Sequence, residues 1–227
     1  MKQFKSLNYF TNILKPFIMT TTRGPMPIIL PEVIEKIAGI DRGLFDEKED
    51  LHLDLFLMSY YTGGMSLTTL LFLEWYDIDD KEVLDCTRFL YPVCDEMQLD
   101  HRHMDILNKY KSIGDDEFIF PMSDDINKWI KGWGYLIGGL AAGINKTIQK
   151  AVGILGLDIK VTFRSARYSY LLLCAQKGVP FPEALKFAGA YAIRPYEYHK
   201  KITKYLAKLK QKEFCFNSEK INGELVN

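Results

Sequence analysis

Arg164 and Arg167 are the residues whose type and spacing first suggest chemistry. They stand three positions apart in Phe163-Arg164-Ser165-Ala166-Arg167-Tyr168, where the sequence predicts the start of a helix. Residues three apart share a helical face. Two cations there, at a helix N-terminus, make a seat for a phosphate, because the helix dipole and the free N–H groups add to them. A solvated surface pair is the plainer alternative. Lys200, Lys201, Lys204, Lys208 and Lys210 form a second basic group, either a DNA-contacting face or a solvated basic helix. Cys86, Cys94, His101 and His103 invite a metal reading, but their spacing fits no common zinc pattern. Two histidines at i and i+2 on a helix point to different sides, so no metal is expected. The glycines of Trp133 to Gly139 follow no strand and precede no P-loop lysine, so no nucleotide site or other cofactor is expected.

The elements that must position these groups read mostly as helix. Pro31 opens a short helix through about Ala38. Asp50 can cap a helix running through Leu51, Leu53, Leu55, Phe56 and Tyr60, apolar on most sides and therefore central. Thr62-Gly63-Gly64 ends it. A second helix runs from Ser66 to Trp75. Short strands are expected between Asp77 and Tyr91, at Ile78, Val83, Leu84, Phe89 and Leu90. Further helices are expected over Met104 to Lys111, from about Ile126 after a Ser123-Asp124-Asp125 cap, and over Ala141 to Leu155 with Gly156 as the stop. Phe118-Ile119-Phe120-Pro121 reads as a brief extended stretch. Arg164 to Gln176, Pro182 to Phe187 and the basic Pro195 to Lys212 complete the helices. The expected class is mainly α with a small antiparallel sheet (α+β). Residues 1–26 read as an N-terminal arm or linker, 27–212 as one domain, and 213–227 as a polar tail.

The chain has 227 residues, 48% apolar and 26% charged, which suits a folded core and excludes a disordered or collagenous chain. A formal net charge of zero argues against a uniformly basic nucleic-acid binder. Yet Asp41 to Asp125 holds 21 Asp and Glu against 7 Lys and Arg, while Ala141 to Lys210 holds 13 Lys and Arg against 3 Asp and Glu. The basic part suits an anionic partner. No apolar run reaches the roughly 18 residues of a membrane span, so no membrane partner is expected. Met1 to Lys15 has no long apolar run and no small-residue cleavage site, so no signal peptide is expected. Four unevenly spaced cysteines fit a reduced, cytoplasmic protein.

Three segments in order carry a resemblance. The first is Tyr61-Thr62-Gly63-Gly64-Met65-Ser66-Leu67 followed by Leu73-Glu74-Trp75-Tyr76-Asp77-Ile78. The second is Val161-Thr162-Phe163-Arg164-Ser165-Ala166-Arg167-Tyr168-Ser169. The third is Lys177-Gly178-Val179-Pro180, then Phe187-Ala188-Gly189-Ala190, then Tyr196-Glu197-Tyr198-His199-Lys200-Lys201-Ile202. Phe118 to Pro121 falls where a "YLFP" stretch would be. Together they resemble the catalytic domain of tyrosine recombinases, the phage-integrase family, over about Leu30 to Ile202.

The resemblance implies a helical domain that grips double-stranded DNA. In the family a tyrosine hydroxyl attacks a backbone phosphate and forms a 3′-phosphotyrosyl link. Arginines stabilise the charge on the non-bridging oxygens, and a lysine and histidines manage protons. The second family arginine falls on Arg167. The histidine of His-x-x-Arg is replaced by Arg164, and that of Gly-His by Ala190. The first arginine belongs in the Thr62 to Leu67 box, which holds no cation. For the strand lysine the nearest candidates are Lys81 and Arg88. The nucleophile is Tyr198 or Tyr196, with Tyr198 nearer the family's spacing. Lys160, Arg164, His199, Lys200 and Lys201 are the implied DNA contacts. The apolar stripe Ile202, Tyr205, Leu206 and Leu209 suits a neighbouring subunit or a related recombinase, or the chain's own core. Losing an arginine and two histidines costs rate: about 10²–10³-fold for each charge stabiliser and about 10²–10⁴-fold for each proton-transfer group. The expected function is therefore DNA binding with weak or no strand cleavage. An active strand-exchange enzyme and a helical protein-interaction module remain the alternatives.

Overall fold

The computed structural model describes residues 28–87, 95–111, 118–121, 126–180, 182–184 and 207, with backbone alone over 126–136. Helix α1 spans Pro31–Ala38, with proline in its first turn, and buries Ile34 and Ile37. Helix α2 spans Glu47–Tyr61 and buries every residue from His52 to Tyr60, so it is the central helix the apolar pattern predicts. Its start differs from the expected Asp50 cap. Asp46 accepts the Glu49 N–H at 2.8 Å, and Glu49 accepts the Asp46 N–H at 3.3 Å. This capping box satisfies donors at both ends of the first turn, so the helix begins one turn earlier, in polar sequence.

Helix α3 is only Leu67–Leu71, capped by Ser66, and not the expected run to Trp75. Beyond it the chain is drawn into other pairings. The Leu73 carbonyl accepts the Ile119 N–H at 2.9 Å, and Glu74 bridges Phe118. Asp77 accepts the Glu74 N–H at 2.8 Å and closes a 3-10 turn over Trp75–Asp77. Among the described residues the sheet is one antiparallel pair, β1 (Val83–Asp85) and β2 (Glu96–Gln98), with Leu84 opposite Met97. The second strand is not the expected one. Glu96-Met97-Gln98 has no apolar alternation to announce it, and the expected Phe89 and Leu90 lie outside the described residues.

Helix α4 spans His101–Tyr110 behind an Asp100 cap, three residues ahead of the expected Met104. Helix α5 is continuous over Ile126–Ile154, joining the two helices expected there. Helix α6 spans Ser165–Gln176, close to expectation. Helices α5 and α6 both pack on α2, and one core runs through Leu53, Phe56, Leu70, Leu107, Ile144, Ile148 and Ala166. The molecule is thus mainly helical with a two-stranded antiparallel sheet. Among the described residues no helix is long and apolar enough to cross a membrane.

Two polar clusters sit inside this core. Asp54 is fully buried on α2. It accepts from Arg42 Nη2 at 3.0 Å, from Lys109 Nζ at 2.9 Å and from the Tyr110 hydroxyl at 2.8 Å. Arg42 also holds Asp50 at 2.7 Å. One carboxylate therefore ties the 3-10 turn Arg42–Leu44 and α4 to α2. Burial, and then the Asp54 charge, pushes the Tyr110 hydroxyl well above its ordinary value.

The second cluster is His52 on α2 against Thr147 on α5, with 2.9 Å between Nδ1 and Oγ1. The Thr147 hydroxyl donates to the Gly143 carbonyl at 3.3 Å, so it accepts from Nδ1–H. Nε2 then carries the lone pair, buried and without a partner. A Cβ at residue 143 would stand 3.0 Å from the ring, so glycine there makes room for the imidazole. Burial, with Lys48 adding to it, lowers the pKa of His52 from its ordinary 6.5. As pH falls, the unfolded chain takes the proton before the folded one does. Stability is expected to fall from about pH 6.5 down to the folded pKa. Urea midpoints between about pH 7.5 and pH 5.5 should drop more in the wild type than in His52→Gln.

Candidate functional site

The segment before α6 is stitched to α5 by two side-chain amides. Gln149 donates to the Ile159 carbonyl at 3.0 Å and accepts the Val161 N–H at 3.4 Å. Asn145 accepts the Phe163 N–H at 2.8 Å. Ser165, buried, accepts the Thr162 N–H at 3.0 Å and returns its own N–H to the Thr162 carbonyl at 2.8 Å. These bonds serve backbone groups that no strand supplies. They also set where α6 begins, and with it the direction of Arg164 and Arg167.

Arg164 occupies the N-cap of α6 and is exposed. Arg167 lies one turn in and is half-buried. Its Nε donates to the Gly64 carbonyl at 2.8 Å. Among the described residues its two Nη atoms carry no hydrogen bond or ion pair. Lys160 is exposed on the loop ahead of α6. Tyr196, Tyr198, His199, Lys200 and Lys201 lie outside the described residues.

Gly64 belongs to the turn that ends α2. Gly63 and Gly64 are left-handed, at φ 77° and 99°. Gly63 N–H donates to the Tyr60 carbonyl at 3.1 Å and Gly64 N–H to the Ser59 carbonyl at 2.6 Å, the paired bonds of a Schellman stop. Thr62 Oγ1 donates to the Met58 carbonyl at 2.7 Å, and Ser59 Oγ to the Met65 carbonyl at 2.8 Å. The box without a cation and the box with Arg167 therefore meet, more than a hundred residues apart in sequence. The glycine pair signals a helix stop in sequence, but nothing there announces its carbonyl as the partner of Arg167.

A second polar corner lies at the start of α4. Asp100 Oδ1 is 2.7 Å from His103 Nδ1, and His103 Nε2 is buried without a partner. Burial works to raise the Asp100 pKa, but hydrogen bonds from Arg102 and His103 outweigh it and hold the carboxyl well below its ordinary range. The Tyr61 ring packs on His103 at 5.9 Å, with Arg102 over its face at 4.9 Å. Burial pushes the Tyr61 hydroxyl up to about 12, so it stays protonated at neutral pH. Asp100 Oδ1 also accepts the Arg102 N–H at 3.0 Å, which makes this carboxylate the cap of α4.

What the Arg167 corner can do is bind an anion. It presents a fixed guanidinium at a helix N-terminus beside a second, exposed arginine. It has no described general base within the same hydrogen-bonded group. No family model matches this chain, and no curated protein matches it.

Proposed function

We propose that this chain is a DNA-binding protein of the tyrosine-recombinase type with weak or no strand-cleaving activity. The observation that carries the reading is Arg167, whose Nε is held on the Gly64 carbonyl while both Nη atoms stay available. The order of the sequence boxes supports it, as does the meeting of the first box with the second. The first box supplies a carbonyl and two left-handed glycines where a second cation would stabilise the transition state. A backbone phosphate can be held at such a site, but the charge that develops during its cleavage is poorly met. In this reading residues 27–212 form the recombinase-like domain, residues 1–26 an arm and 213–227 a tail.

The test is duplex DNA binding across a salt series. Neutralising a phosphate contributes about 0.9 to the slope of log K against log salt. Arg167→Ala should weaken binding and lower that slope by about one such contact. A wild-type slope near zero overturns the reading. It would favour a protein-interaction module, for which the exposed Asp79, Asp80, Glu82, Asp85, Asp95 and Glu96 around the hairpin are the specific observation. A suicide DNA substrate separates binding from cleavage. No covalent adduct is expected, and one abolished by Tyr198→Phe would show an active enzyme.

A further inference from the structure

The geometry points to the Gly64 carbonyl as the group that positions the phosphate-binding fork of Arg167, and this rests on the DNA-binding reading above. A free arginine side chain carries rotamer entropy that a ligand must freeze. Here the 2.8 Å bond from Nε to the Gly64 carbonyl fixes the plane of the guanidinium in advance. Nε–H is then occupied, and the end-on pair of Nη atoms is the edge left for two oxygens of one phosphodiester. The carbonyl itself is firmly held. The Gly64 N–H is bonded to the Ser59 carbonyl, and the Ser59 hydroxyl returns to the Met65 carbonyl. The approach also needs a residue without a side chain. A Cβ at Gly64 would lie 2.6 Å from Arg167 Cβ and 2.8 Å from its Cα. The glycine therefore lets the first box reach Arg167 through its backbone.

A simple clamp between α2 and α6 would use the same bond, so the experiment must separate aim from stability. Replacing Met65 by its α-hydroxy analogue turns the Gly64–Met65 amide into an ester and makes the Gly64 carbonyl a weaker acceptor. The Met65 N–H lost in the exchange makes no hydrogen bond among the described residues. Binding of a fluorescent mixed-sequence DNA duplex would be measured for the full chain, for the ester, for Arg167→Ala and for the two combined. A single hydrogen bond of this kind is worth about a threefold to tenfold change. The ester is expected to weaken DNA binding by that factor with the salt slope unchanged. It should cause no further loss in the Arg167→Ala background. Unchanged affinity with a lowered melting temperature means a clamp and overturns the proposal, while leaving phosphate contact by Arg167 intact. A loss that persists without Arg167 also overturns it. An Arg167→Ala chain that binds as the wild type does, with the same salt slope, overturns the DNA-phosphate reading itself.

Discussion

Asp54→Ala is expected to cost about 3 kcal/mol of stability, a large share of the roughly 5–15 kcal/mol that holds a domain together. The carboxylate is fully buried and accepts from Arg42, Lys109 and Tyr110. Removing one partner of a buried ion pair leaves the others with unmet charge or an unmet donor, at about 3–5 kcal/mol. The low end applies because Arg42 and Lys109 keep 25% and 39% of their side-chain surface in solvent. Both can turn outward, and Asp50 stays within reach of each. The Tyr110 hydroxyl cannot follow them. Tyr110→Phe should therefore cost about 1 kcal/mol, near the value of one net hydrogen bond. Urea unfolding checks both, with a lowered midpoint at an unchanged slope as the expected signature. A shift in Asp54→Ala no larger than that in Tyr110→Phe would mean that the two cations take no part in holding the core.

Gly64→Ala is expected to be destabilising by at least about 2 kcal/mol, combining backbone strain with overpacking. At φ 99° an L side chain is strained even in open space. The added Cβ would also meet Arg167 at its Cβ and Cα, which are anchored parts of α6 and not the end of a flexible chain. Gly156 is the internal control. It too is left-handed, at φ 67°, but nothing lies within 4 Å of its missing Cβ. Gly156→Ala should therefore show the backbone cost alone, about 1–2 kcal/mol. Thermal melts of the two variants would separate the terms. Equal losses would mean that α6 shifts freely away from the turn.

The helices were legible wherever burial is continuous or a glycine stops them. Leu51 to Tyr60 reads as a central helix because nearly every side is apolar, and His52 to Tyr60 are all buried. Gly63 and Gly156 read as stops, and both are left-handed. The errors lie where a local partner outbids periodicity. The Asp46–Glu49 box starts α2 inside a polar stretch, and the Ile119 N–H draws Leu73 away from α3. Strand β2 was invisible because Glu96-Met97-Gln98 is specified by its pairing with β1 and not by its own composition. At the candidate site, Arg164 and Arg167 could be read from type and spacing. The role of Gly64 could not, since a main-chain carbonyl has no residue type. Nor could Asp54, because a single aspartate among leucines does not reveal that an arginine, a lysine and a tyrosine converge on it.

The six residues from Asn145 to Lys150 bear on how the molecule opens. In under two turns of α5, Asn145 and Gln149 hold the chain entering α6, Thr147 holds His52, and Lys150 holds Glu49 at 2.6 Å. These four side chains tie one short stretch to the segment before α6 and to two positions on α2. Amide protons at the start of α6 and in the middle of α2 are therefore expected to exchange with solvent at similar rates, which native-state hydrogen exchange checks. The start of α6 is consequently fixed to the core through side chains of α5 and not through its own sequence alone.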